Sequence, residues 1–240
     1  MPATLPAPKH GYRVASYNIR KCLGIDRRRL PERTLRVIVA TGAAVVVLQE
    51  SDRRLGVRPA ALTPDLIAAG SDYRPLPVAT SGVSLGWHGN AILVRSEVEM
   101  LDVHRIELPG LEPRGAVAAD LSINGHALRI VAVHLGLRSA DRLHQLRRIS
   151  DWLATRPRAP TLIMGDFNEW SPTAPFPPLH PEFDVLAPGP SYHARFRLAP
   201  LDRIAHCNLL HVTACGVLDQ GDAARASDHL PIWADVRAAH

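Results

Sequence analysis

The stretch LIMGDFNEW, residues 162–170, decides how the chain is read. Leu162, Ile163 and Met164 form an apolar run of the kind that fills a buried strand, and Gly165 ends it. Asp166 and Asn168 follow, with Phe167 between them. Side chains on a strand alternate faces, so Asp166 and Asn168 are expected on one side and Phe167 on the other, in the core. The glycine gives the backbone room to bend and lets another group come close. A carboxylate and an amide on one side can hold a water and a phosphate oxygen together, because the amide both donates and accepts without charge.

Working outward, the same arrangement occurs twice. A strand, a helix and a strand run from Asn18 to Glu50, and again from His134 to Asp166, with equal spacing between the polar residues. Strands are expected over 12–19, 43–50, 89–95, 116–123, 126–135 and 160–167, with an Asn124-Gly125 hairpin turn. Helices are expected over 28–42, with Pro31 in the first turn and Gly42 at its end, and over 63–70, with Thr63 as N-cap. The clearest helix is 139–156, with Leu143, Leu146, Ile149 and Leu153 as its apolar stripe and Ser139 as N-cap. Residues 171–190 are proline-rich and read as a surface loop or lid; short strands near 201–207, 209–217 and 230–236 finish the chain. The pattern is α/β with an antiparallel share. Two similar units with polar residues at their strand ends point to two packed sheets, with chemistry where those ends converge.

The length of 240 residues suits one large domain or two small ones; a single domain over 11–240 is expected, after a loose Pro/Ala-rich tail over 1–10. A net charge of +5 tilts the partner towards an anion: a phosphoester, a nucleic acid or a lipid head group. Cys22, Cys207 and Cys215 form no C-x-x-C pair and are odd in number, which argues against a disulfide framework or zinc site and for a reducing compartment. The start of the chain has no leader pattern, and the run AAVVVL is too short to span a bilayer. A soluble, cytoplasmic protein is the expectation, with peripheral membrane contact left open.

Polar groups recur at expected strand ends or in nearby loops: Asn18, Glu50, Asn90, His134, Asp166, Asn168, Asp202, Asp228 and His229. Each alone reads as a turn residue or a satisfied half-buried histidine; their joint occurrence in this order does not. Oxygen donors on Glu50, Asn18 and Asp228 suit a hard cation such as Mg²⁺.

The set SYNIR, LQE, GNAIL, VHLGL, GDFN, LDRI and SDHLPI, in this order over residues 12–236, resembles the endonuclease/exonuclease/phosphatase superfamily, the deoxyribonuclease I-like fold. The runs HLGLR, GDFNEW and LDRI are similar to those of short bacterial members of phosphodiesterase type. The resemblance implies a four-layer α/β sandwich, two packed mixed β-sheets flanked by helices. It also implies Mg²⁺-dependent cleavage of a phosphoester by water, with Mn²⁺ able to substitute. Glu50 would be the principal metal ligand, with Asn18 and Asp228 nearby. His229 would contact the scissile phosphate and serve in acid–base work, oriented by Asp202. Asp166 would position or deprotonate the attacking water, Asn168 would bind a phosphate oxygen, and His134 would donate to the phosphate or leaving group. Asn90 and Arg114 would complete the phosphate-binding floor.

Arg20 and Ser51-Asp52 depart from the pattern of abasic-site endonucleases, so DNA repair is disfavoured. A small-molecule or lipid-head-group phosphoester is expected ahead of DNA or RNA. Trp87, Trp170, Tyr192 and Phe196 are the candidates for base stacking. A non-catalytic phosphate- or nucleic-acid-binding module is the remaining alternative; it would be expected to lack a metal ligand or the catalytic histidine.

Overall fold

The computed structural model describes residues 4–239 apart from Leu55. Two six-stranded sheets account for the strands. The first holds β1 (Tyr12–Asn18), β2 (Val45–Gln49), β3 (Tyr73–Pro75), β4 (Ala91–Arg95), β11 (Leu210–Val217) and β12 (Ile232–Ala238), in the order β11-β12-β1-β2-β4-β3. The second holds β5 (Val98–Leu108), β6 (Arg114–Ile123), β7 (His126–His134), β8 (Thr161–Asp166), β9 (Phe183–Leu186) and β10 (Asp202–Cys207), in the order β5-β6-β7-β8-β10-β9.

Each sheet contains one parallel pair, β1 with β2 and β7 with β8. Parallel neighbours need a long crossover, and a helix supplies it each time: α1 (Pro31–Ala40) and α3 (Ser139–Ala154). The repeated strand–helix–strand unit of the sequence is therefore the centre of each sheet.

Three apolar layers follow from strand alternation. Val45 and Val47 of β2 point between the sheets, where they join Ile92, Val117, Leu162 and Met164. Val46 and Leu48 point outward, against Leu35 and Ile38 of α1 and Ile67 of α2 (Pro64–Gly70). On the far side Val131, Val133 and Ile163 pack against Leu146, Ile149 and Trp152 of α3. Helices thus cover the outer face of each sheet, and the four-layer sandwich holds. The run VVVL is unbroken because both faces of β2 are covered. Each such side chain contributes about 1.5–3 kcal/mol relative to exposure.

The structure revises the expected α3. Ser139 is its first residue; Arg138 holds the N-cap position and makes no side-chain capping bond. Leu143 is 39% exposed, and the buried face runs through Arg142, Gln145, Leu146, Ile149 and Trp152. Two polar residues replace leucines there because each ties down a loop. Arg142 donates to Leu137 O (2.7 Å) and to Glu169 Oε2 (2.5 Å). Gln145 accepts from Gly136 N–H at 2.8 Å and donates to Pro109 O at 2.9 Å. Leu137 and Gly136 lie in the loop after His134, Glu169 in the loop after Asn168, and Pro109 just after β5.

Residues 171–190 are not all irregular: they contain a 3₁₀ turn (Pro177–Leu179) and β9, an edge strand paired with β10. The strands β3 and β5 were not expected. Asn124 (φ +50°) and Gly125 (φ +82°) form the foreseen hairpin turn between β6 and β7. Thr63 Oγ1 accepts from Leu66 N–H at 3.4 Å, the expected cap of α2. Near the start of the chain, Leu5 N–H donates to Ala40 O at 3.0 Å.

Candidate active site

Strand direction brings the singled-out residues to one edge. In the first sheet β1 and β2 run parallel, so Asn18 at the end of β1 lies beside Gln49 and the Glu50 that follows it. β4 and β12 run antiparallel to these, so their beginnings, after Asn90 and Asp228-His229, lie at the same edge. In the second sheet His134 closes β7 level with Asp166, and Asp202 opens β10 level with the same Asp166. A cleft of about 650 Å³ opens there, and every singled-out residue except Asn90 and Asp202 lines it.

Asp166 is the hub. Its Oδ2 accepts from Asn18 Nδ2 at 3.0 Å and its Oδ1 accepts from Asn168 N–H at 2.9 Å. The same Oδ2 lies 3.5 Å from His134 Nε2 and 3.6 Å from His229 Nε2. Asn168 shares the side of Asp166 for a reason the pleat does not supply. The strand stops at Asp166, Asn168 takes a left-handed φ of +51°, and the Asp166 carboxylate caps its amide in an Asx turn. Asn168 Nδ2 donates to Leu135 O at 2.8 Å, and Phe167 is buried beside Phe176. Gly165 is obligatory: at φ +150° an added Cβ would run into the carbonyl oxygen of Val133.

The two imidazoles face one carboxylate at nearly equal distance but hold protons differently. Burial pushes His134 down to about 3, and Asp166 opposes this without overcoming it. Burial would lower His229 as well, but Asp202 and then Asp166 outweigh it and raise it to about 9. The difference is Asp202, whose Oδ2 accepts from His229 Nδ1 at 2.8 Å and from Ser191 Oγ at 2.6 Å. Asp202 Oδ1 has no partner among the described residues. At neutral pH the pair is thus a neutral His134 and an imidazolium at His229.

Two further carboxylates carry cationic side chains. Lys21 Nζ stands on Glu50 Oε2, and Arg20 Nε lies 3.2 Å from Asp228 Oδ2. The backbone is bent to allow this: Arg20, Lys21, Cys22 and Glu50 all have φ between +45° and +60°. Left-handed conformations of residues with a Cβ cost roughly 1–2 kcal/mol each, so surrounding packing must hold them. Asn18 Oδ1 accepts from Arg20 N–H at 3.1 Å and keeps a second lone pair. Glu50 and Asp228 thus already attract cations, and with the amide oxygen of Asn18 they offer hard oxygen donors that fit a divalent metal. The ligand atoms of Asp166, Asp202 and His229 also lie within 4.8 Å of one another. That trio suits proton handling better, since His229 is already bonded to Asp202 and an imidazolium cannot ligate.

Arg114 lines the cleft with its Nε donating to Glu112 Oε2 at 2.9 Å. Asn90 is fully buried behind the wall; its Nδ2 donates to Gly115 O at 2.8 Å and so ties β4 to the start of β6 beside Arg114.

Ser191, Lys21 and the strapping role of 191–194 were not expected, although Tyr192 in that segment was singled out for stacking. Leu230 N–H donates to Ser191 O at 2.8 Å and Ala194 N–H to Asp228 O at 2.7 Å, which straps Asp228 and His229 in place. The proline-rich flank of Ser191 has no periodicity to betray it. Lys21 was findable from its position three residues after Asn18. Of the aromatic candidates, Trp170 is 57% exposed at the cleft, edge-on to Tyr192 at 5.8 Å, and Tyr192 tilts against His229 at 5.0 Å.

The chain belongs to the Endonuclease/Exonuclease/phosphatase family, whose sequence model matches residues 15–229. Members of this family are hydrolases of phosphoesters, acting as phosphatases or nucleases. Among individual proteins, the chain is similar to the uncharacterized protein YbhP of Escherichia coli (strain K12), at 32% identity over 161 residues. That match spans 63% of each of the two chains. Its fold is similar to that of the mannosyl-6-phosphatase Bt3783 of Bacteroides thetaiotaomicron, with a TM-score of 0.75 at 17% identity over 94% of this chain and 99% of that one. It is similar also to D. rerio TDP2 complexed with single strand DNA product, with a TM-score of 0.74 at 18% identity over 95% of this chain and 100% of that one. No helix among the described residues is long and apolar enough to cross a membrane.

Proposed function

We propose that the protein is a divalent-cation-dependent phosphoesterase, Mg²⁺ being the preferred ion, that hydrolyses a phosphodiester or phosphomonoester by attack of water. The observation that carries this reading is Asp166 Oδ2, 3.5 Å from a neutral imidazole and 3.6 Å from a charged one. One carboxylate, one fixed proton donor and one neutral imidazole around a single point are what hydrolysis of a phosphoester needs.

Glu50, Asp228 and Asn18 would hold the cation, which when bound would supply Lewis-acid polarisation of the phosphoryl oxygens and stabilise the charge that develops there. Asp166 orients the water and accepts its proton. His229, charged and fixed by Asp202, donates Nε2–H to the phosphate and passes that proton to the leaving oxygen. Its charge at neutral pH favours Asp166 over His229 as the base. His134, the remaining amide proton of Asn168, and Arg114 donate to phosphate oxygens; arginine is suited to paired contacts. Asn90 supports Arg114 from behind.

A small-molecule or head-group ester is the first choice of substrate. The exposed Trp170, edge-on to Tyr192 at the cleft, favours a nucleic-acid substrate as the second reading, because base stacking on such a platform contributes about 1–3 kcal/mol per base. A metal-supplemented screen of an abasic-site duplex, DNA, RNA, phospholipids, inositol phosphates and nucleotides separates them. Turnover of a head-group or inositol ester alone supports the first, and turnover of polynucleotides alone overturns it.

A further inference from the structure

The cleft, about 650 Å³, is larger than one phosphate requires, and part of its wall carries a charge that the proposed reaction leaves unused. The loop between Asp52 and Ala60 brings Arg53, Arg54 and Arg58 to the cleft wall. Its base is cinched: Asp52 and Ala60 form a bridge, Arg53 N–H donates to Pro59 O at 2.9 Å, and Ala61 N–H donates to Ser51 O at 2.8 Å.

The acids nearby do not neutralise it. Asp52 turns inward, where its carboxylate accepts from Leu85 N–H at 2.7 Å, Gly86 N–H at 3.1 Å and Ser51 Oγ at 3.1 Å. Glu112 is engaged by Arg114. Among the described residues Arg53 and Arg58 have no ion pair, and Arg54 only reaches to 4.0 Å from Glu50 Oε1. Arg58 has φ +53°, a backbone conformation that glycine would take more cheaply. Arg58 thus lines the wall from a backbone position that disfavours a side chain, on a loop whose base is fixed.

We propose that Arg53 and Arg58, with Arg54 beside them, form a second-anion subsite that binds a further phosphate group of the substrate. This deepens the phosphoesterase reading and rests on it. The substrate class becomes a phosphoester that bears another phosphate near the scissile one. Two sources share that chemistry, the neighbouring phosphate of an oligonucleotide and a phosphorylated head group. Arginine suits either, because its planar fork pairs with phosphate oxygens.

The experiment compares matched substrates that differ by one phosphate: pdTpdT against dTpdT, and glycerophosphoinositol 4-phosphate against glycerophosphoinositol. The double variant Arg53→Gln/Arg58→Gln is run beside the natural protein, with bis(p-nitrophenyl) phosphate as the single-phosphate reference. The natural protein should prefer the two-phosphate member of at least one pair by about tenfold in kcat/KM, as one or two charge-assisted bonds provide. In the variant that ratio should fall to about one. The pair that shows the preference identifies the source. Equal ratios in both proteins, or no preference in either pair, overturn the subsite.

A binding measurement on metal-free protein does not depend on turnover. Titration calorimetry with inorganic pyrophosphate should give affinity about fivefold or more tighter in the natural protein than in the variant, the loss expected for removing charge-assisted contacts. Equal affinity overturns the subsite. Absence of all hydrolysis with this affinity difference intact counts against the phosphoesterase reading instead.

Discussion

His229 Nδ1 lies 2.8 Å from Asp202 Oδ2, and this contact separates His229 from His134, which faces the same Asp166 without such a backing. Asp202 comes from the start of β10 in the second sheet and His229 from the loop before β12 in the first, so the pair closes the site across the sandwich. We predict that Asp202→Asn lowers kcat by about 10²-fold or more, within the range for general acid–base groups. The same variant should lower the titration of His229 in an NMR pH series. A normal kcat with unchanged His229 titration would falsify the orienting role.

The protonation states give a signed pH dependence for the metal-free protein. The folded value of His229, about 9, lies above its ordinary 6.5, so its contribution to stability is full below 6.5 and is lost as pH rises through about 9. The folded value of His134, about 3, lies below 6.5, so burying it neutral is free above 6.5 and increasingly costly as pH falls towards 3. Denaturation at a series of pH values should therefore show His229→Gln flattening the alkaline limb and His134→Gln flattening the acid limb. Parallel curves for all three proteins would contradict the assignment.

Lys21 pairs with Glu50, the proposed metal ligand, and would compete there with a divalent cation. Replacing the ammonium in Lys21→Met should tighten Mn²⁺ binding by about fivefold or more, since a nearby like charge in a partly buried site opposes the incoming ion. Calorimetric titration reads this without any substrate. Weaker binding in the variant would mean that Lys21 supports the ion rather than competing with it.

Gly165 lets β7 and β8 converge so that His134 and Asp166 meet. Gly165→Ala should cost about 2 kcal/mol or more, because the new methyl must displace the Val133 carbonyl in a fully packed sheet. Chemical denaturation measures it; a change below about 0.5 kcal/mol, the range of neutral surface substitutions, would show that the strands relax freely.

Much of this was legible because both faces of the central strands are buried. Short apolar runs such as VVVL and LIM, bounded by glycine or polar residues, read as covered strands, and the polar residues that end them mark the edge where the cleft opens. The equal spacing of the two units foretold two sheets. What escaped lies at margins. β5 carries polar side chains on much of both faces, and β9 is a short edge strand in a proline-rich setting, so neither shows a clear period. In α3 the leucine count misled, because Arg142 and Gln145 occupy the buried face for their hydrogen bonds to loops. Ser191 reaches Asp202 through a fold-back that no local pattern encodes.

Glu50 and His229 are proposed to serve one metal-assisted hydrolysis. The most direct measurement is the rate of bis(p-nitrophenyl) phosphate cleavage with Mg²⁺ or Mn²⁺, with EDTA, and in Glu50→Gln and His229→Gln. EDTA should stop turnover and added metal restore it, and each variant should fall by about 10²-fold or more, as expected for loss of a cation ligand or an acid–base group. Turnover that ignores EDTA, or that survives intact in both variants, would contradict the proposal.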